Sequence, residues 1–145
     1  MRLPAPAPGL VIRYSYLWRR EAVLGREEGA KDRPCAVVLV VFDDAGRRRV
    51  RVLPITHAPP AVADDAVEIP MATAKRLELD GDRSWIVLTE ANDFVWPGPD
   101  LRPARRTDPA SVAFGFLPPK LFRAVRERLI ERYRAGRLAA VPRSE

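Results

Sequence analysis

The chain has 145 residues, with 25 Lys and Arg against 19 Asp and Glu, a formal net charge of +6 and a pI near 10.2. Apolar residues make up 47% and charged residues 30%, the balance of one globular domain with a hydrophobic core. One cysteine, Cys35, excludes an intramolecular disulfide framework, and with a single histidine, His57, it excludes a four-ligand zinc site of the finger or ribbon type.

The first nine residues alternate Pro with small residues and read as a loose arm without the apolar segment of a secretory signal, so a cytoplasmic location is expected. Leu10 to Trp18 is rich in β-branched and aromatic residues and predicts a first strand. Arg19 to Lys31 is charged, holds Gly25 and Gly29, and reads as an exposed loop with at most a helical turn. Cys35 to Phe42 is apolar on both parities, as in a strand buried on both faces, and is far too short to span a bilayer. Asp43-Asp44-Ala45-Gly46 is a turn signal, and Arg47 to Ile55 reads as the return strand of a hairpin. Val50, Val52 and Pro54 share one face of that strand; Arg49 and Arg51 lie on the other.

Residues 58–65 read as a loop, Ala66 to Ile69 as a short strand, Ala72 to Leu79 as a short helix and Ser84 to Thr89 as a further strand. Residues 96–111 hold four prolines and three arginines and form a long loop. Leu121, Phe122, Val125, Leu129, Ile130 and Tyr133 repeat at helical spacing, with Pro118 and Pro119 before them and Gly136 after. The expected fold is therefore mainly β with short helices: a curved sheet or open barrel of about five to seven strands, spanning 10–137, with a closing helix packed on it and residues 138–145 as a tail.

The charge is segregated. Residues 1–57 carry a net +5, residues 58–101 a net −6 and residues 102–145 a net +7, which points to a polyanionic partner, either nucleic acid or an acidic protein. There is no phosphate-binding glycine loop, nucleophile elbow or His-Glu-x-x-His. Cys35 lies inside a buried strand pattern and reads as a core thiol. Asp43-Asp44 and Asp64-Asp65 read as turn residues rather than metal ligands.

Two places remain: Lys31-Asp32-Arg33-Pro34 before the buried strand, and Pro54-Ile55-Thr56-His57 at the end of its hairpin partner. Hairpin pairing sets residue 35 opposite the 54–56 region, so Arg33, Thr56 and His57 converge at one end of the sheet. A guanidinium that forks onto phosphate oxygens, a hydroxyl donor and an imidazole that moves a proton near neutral pH suit a phosphodiester. The plainer alternatives are an Arg33 ion pair with Glu27, Glu28 or Asp32, and an exposed loop histidine. Tyr14, Tyr16, Trp18, Trp85 and Trp96 are either base-stacking platforms or core.

In their order and spacing, Pro8 to Ile12, Glu28-x-x-x-x-Arg33-Pro34 with the apolar strand after it, Pro54-Ile55-Thr56, Trp85 to Glu90 and the helix at 119–135 resemble the MazF/PemK group of type II toxins, in particular its PemK-like branch. The resemblance implies an SH3-like barrel, a homodimer, and a metal-independent endoribonuclease, without cofactor, that cuts single-stranded RNA to a 2′,3′-cyclic phosphate. It also implies an acidic antitoxin as partner, and no membrane association. By the same resemblance Arg33 matches the catalytic arginine, Thr56 its partner and Glu28 a glutamate near the site. Lys31 is also near it, and His57 is expected to supply proton transfer. Trp18, Arg19, Arg51, Asn92, Trp96 and Arg102 are the candidates for holding RNA. One departure stands out: the arginine that the family often carries after the Glu90 position is absent from Ala91-Asn92-Asp93-Phe94. Two other readings follow from that departure and from related barrels, a non-catalytic module binding RNA or an acidic protein, and a toxin directed at DNA gyrase.

Overall fold

Nine β-strands and three α-helices make up the computed structural model, which describes residues 3–27, 29 and 31–143. In chain order they are β1 (Leu10–Tyr14), α1 (Arg19–Val23), β2 (Arg33–Phe42), β3 (Arg48–Thr56), β4 (Ala66–Ile69), α2 (Met71–Arg76), β5 (Ser84–Val87), β6 (Glu90–Val95), β7 (Leu101–Arg102), β8 (Ala113–Phe116), α3 (Pro119–Arg134) and β9 (Ala139–Pro142). All nine strands belong to one sheet, with the path β4-β5-β3-β2-β1-β7 and with β6 added to β3, β8 to β1 and β9 to β6. Every pairing is antiparallel except β6 with β9. β3 pairs with β6 over Arg49–Val52 and then with β5 at Ile55 and Thr56, a change of partner along one strand that lets the sheet curve. The molecule is thus mainly β with short helices, and no helix among the described residues is long and apolar enough to cross a membrane.

The β2–β3 hairpin is the spine. Asp43 builds its turn by accepting the Ala45 and Arg47 N–H groups on its carboxylate at 2.9 Å, and Gly46 takes the positive φ of 78°. The two sheet faces feed two cores. Val11, Ala36, Leu53 and Ile55 face a cluster closed by α2 and by Val125 of α3. Ile12, Tyr14, Cys35, Val37 and Val52 face a second cluster, in which Tyr14 stacks on Phe94 at 4.5 Å.

The structure corrects several expectations. The sheet has nine strands rather than five to seven, because β6 to β9 carry no strand signal in local pattern and pair through long-range context. β1 ends at Tyr14, not Trp18, since the following backbone groups bond off the ladder: the Ser15 N–H to the Asp100 carbonyl, and the Leu17 N–H to the Asn92 side chain. β2 is buried on both faces only in its first half; past a bulge between Val37 and Leu39, the residues Leu39, Val41 and Phe42 are exposed because no element covers the hairpin tip. The short helix runs over Met71–Arg76 and stops at Glu78, which takes a left-handed φ of 56°. The segment read as a tail contributes β9 and the buried Arg143, which donates to the Ser15 carbonyl at 2.6 Å and pairs with the buried Asp100 at 3.0 Å. The final helix forms as expected and closes at Gly136 with φ 69°. Two of its arginines are not free surface: Arg128 and Arg132 donate to the Asp64 carbonyl.

Candidate active site

The β2–β3 register pairs Cys35 with Pro54, and carried two residues further it sets Arg33 against Thr56. Thr56 also pairs with Trp85 on β5, so three strands fix the two residues' backbone. At this end of the sheet lies a cavity of about 450 Å³ lined by Lys31, Arg33, Thr56 and His57 among others. Four residues singled out in the sequence therefore meet in one place. Glu28, placed near the site by resemblance, lies outside the described residues.

The Arg33 guanidinium sits over the Trp18 ring, 4.9 Å from its centroid, and its Nε is buried without a hydrogen-bond partner. The expected alternative, an ion pair to Glu27 or Asp32, does not form among the described residues; Asp32 faces Arg102 instead, at 3.7 Å. Burial is the main influence on Arg33 and pulls its pKa down, yet a guanidinium remains charged at any working pH. A half-buried cation with an unused donor is the arrangement that gains most when an anion arrives, because the donor's desolvation cost is already present.

Thr56 Oγ1 accepts the Ala58 N–H at 3.1 Å, which leaves its hydroxyl proton free to donate. His57 Nδ1 lies 3.0 Å from the Arg83 carbonyl and 3.3 Å from Ser84 Oγ, and Ser84 in turn reaches the Asp82 carbonyl at 3.4 Å. A carbonyl only accepts, so Nδ1 carries the proton and Nε2 keeps its lone pair. Nε2 faces the exposed Asp80 Oδ2 at 3.7 Å. The site thus combines a guanidinium, a hydroxyl with a free proton and an imidazole oriented by hydrogen bonds, groups that can stabilise charge and move a proton.

The remaining candidates divide. Trp18 is beside the site, where it carries Arg33 and, on a second contact of 5.0 Å, Arg20. Arg19 is exposed, with its backbone N–H bound to Glu90 Oε1 at 2.9 Å. Arg102 is tied to the Pro99 carbonyl at 2.9 Å as well as to Asp32. Arg51 forks onto Asp93 at 2.8 and 2.9 Å and lines a different, apolar groove with Leu39, Leu129 and Tyr133. Trp96 is buried near Phe94 and is core. Asn92 is fully buried: its Oδ1 accepts the Leu17 N–H and its Nδ2 donates to the Leu17 carbonyl, both at 2.8 Å. None of Arg51, Asn92 and Trp96 lines the cavity with Arg33: Asn92 and Trp96 are buried inside the protein, and Arg51 is paired with Asp93 beside another groove.

Sequence reasoning treated 90–94 as a segment missing an arginine. In the structure it is a clamp. Glu90 and Asn92 share one face of β6; Glu90 takes the Tyr16 hydroxyl at 3.0 Å and the Arg19 N–H, and Asn92 takes both backbone groups of Leu17. Together they hold the Ser15–Trp18 segment so that Trp18 lies against Arg33. Arg13, Glu78, Asp80 and Ser84 also line the cavity and were not singled out; only the chain path through 76–84 and the β1–β2 pairing bring them there. Cys35 is fully buried and unpaired, and burial pushes its thiol pKa up, so it is an inert core residue as expected. Among the described residues no three His, Cys, Asp or Glu side chains cluster as a metal site.

No family model matches this chain, and no curated protein is significantly similar to it in sequence.

Proposed function

We propose that this chain is an endoribonuclease of the MazF/PemK toxin type, built on an SH3-like barrel and acting on single-stranded RNA without a metal. The observation that carries this reading is the meeting of Arg33, Thr56 and His57 in one cavity, with the Arg33 guanidinium unpaired by any described carboxylate. In the proposed reaction the ribose 2′-hydroxyl attacks the adjacent phosphorus while His57 Nε2 takes its proton. The P–O5′ bond breaks, leaving a 2′,3′-cyclic phosphate and a 5′-hydroxyl that gains a proton from the imidazolium or water. Arg33 holds the charge that builds on the phosphorane oxygens, and Thr56 donates to one of them.

The reading carries with it a homodimer, a cytoplasmic setting and an acidic antitoxin. An exposed apolar groove of about 430 Å³ between β2 and α3 supports a protein partner: Leu39, Ile130 and Tyr133 line it, and Arg126 stands at its side.

The test incubates the purified protein with a long single-stranded RNA in EDTA and maps the cut ends, beside Arg33→Ala. Discrete cuts with cyclic phosphate ends that vanish in the folded variant are the expected result. A folded wild type that cuts none of a varied RNA set refutes the reading.

A further inference from the structure

The cavity holds a cation that the mechanism above does not use. Arg13 lies on β1, directly across from Pro34 on β2 and from Arg102 on β7. Two arginines opposed across neighbouring strands repel, a cost that a sheet carries only with compensation. Arg102 has it, in Asp32 and in the Pro99 carbonyl. Arg13 does not: its half-buried side chain has no carboxylate and no hydrogen-bond acceptor among the described residues. The acidic groups of the cavity are engaged elsewhere, Asp32 with Arg102, Glu78 with Arg105 and Asp80 with His57. Arg51, Arg132 and Arg143, also half-buried or buried, each have a carboxylate, whereas Arg33, in the same cavity as Arg13, has none among the described residues.

Strand alternation separates Arg13 from Arg33. Arg13 shares a sheet face with Pro34, whereas Arg33 shares the opposite face with Tyr14. The two guanidinium groups therefore reach the cavity from opposite sides of the sheet end. A polynucleotide presents a phosphate on each side of every nucleotide, so two cations approaching from two sides match successive phosphates rather than one. We propose that Arg13 binds the phosphate adjacent to the one held by Arg33, Thr56 and His57, which makes the ligand of this cavity a strand of at least two phosphates. The proposal rests on the endoribonuclease reading of the same cavity.

The experiment measures binding of a single-stranded RNA made uncleavable by 2′-O-methyl groups, over a range of salt, to the wild type, Arg13→Gln and Arg13→Lys. Each phosphate contact contributes about 0.7 to the steepness of log K against log salt for a single strand. Arg13→Gln is expected to bind more weakly and with a slope shallower by about 0.7, and Arg13→Lys, which keeps the charge, to restore most of it. Thermal melting of both variants confirms that they are folded. A slope in Arg13→Gln equal to wild type overturns the proposal, as does a slope equally shallow in both variants. Cleavage of the unmodified RNA by the wild type is followed in parallel. Cleavage with no Arg13-dependent slope removes this proposal alone; an Arg13-dependent slope without cleavage supports the phosphate site and removes the endoribonuclease.

Discussion

Replacing Asn92 by alanine removes three hydrogen bonds in the fully buried clamp that sets the Ser15–Trp18 segment: two to the Leu17 backbone at 2.8 Å and one from Arg143 Nη1 at 3.0 Å. Alanine cannot replace either bond to Leu17, and the room it leaves is lined by the groups that lost their partner. A buried backbone group left unsatisfied costs about 1–3 kcal/mol. The Arg143 bond is charge-assisted, yet Arg143 retains the Ser15 carbonyl and Asp100, so its loss adds little. Two such backbone groups give about 2–6 kcal/mol, a large part of the roughly 5–15 kcal/mol that holds a domain folded. Urea unfolding followed by circular dichroism and tryptophan fluorescence reads this as a lower midpoint at an unchanged m-value. Asn92→Asp keeps the acceptor for Leu17 and Arg143 but turns an oxygen toward the Leu17 carbonyl, so its loss falls between wild type and alanine. Where Asn92→Ala remains folded, RNA cleavage drops as well, because Trp18 no longer fixes Arg33. A loss below about 1 kcal/mol in Asn92→Ala would refute the clamp.

Arg33→Lys should fail to restore cleavage, with kcat down by about 100-fold or more, because an ammonium lacks the planar fork and does not lie flat on Trp18; single-turnover cleavage measures it, and near-wild-type rates would remove Arg33 from the chemistry. Burial raises the pKa values of Cys35, Tyr14 and Tyr16 above their unfolded values, so their contribution is whole below the unfolded thiol pKa of about 8.5 and is lost as pH rises. Stability should therefore fall by about 1.4 kcal/mol per pH unit from Cys35 between pH ~9 and ~10, more steeply once unfolded tyrosines ionise, and Cys35→Ala should remove the first limb. A urea series across pH tests this, and a flat profile would contradict it. Arg51→Ala breaks a partly exposed ion pair on the face away from the cavity; it should cost about 1 kcal/mol or less and cleave RNA at the wild-type rate. A large loss of cleavage there would return Arg51 to the site.

The elements written in local pattern were legible in the sequence. The β2–β3 hairpin follows from an apolar run, the Asp43–Gly46 turn and the alternation of Val50, Val52 and Pro54 with arginines; α3 follows from a 3.6-residue stripe between two prolines and Gly136. The convergence of Arg33, Thr56 and His57 at one end of the sheet was also legible, because the turn brings the two strands together there; which of the two faces Arg33 was not, since the bulge between Val37 and Leu39 shifts the pairing by one residue and sets Arg33 against Thr56.

What tertiary structure alone decided is how each side chain is spent. Asn92 and Arg51 look alike in sequence as polar candidates for RNA, yet one is sealed against Leu17 and the other is bound to Asp93. Segments 101–102, 113–116 and 139–142 carry no periodic signal and become strands only because a neighbour's edge offers them hydrogen bonds. Arg143 lies 43 residues beyond Asp100 in the chain and meets it inside the protein. Composition and periodicity report local preference and the sign of charge; the partner of a given charge is set by contacts between distant residues, and those exist only once the chain has folded.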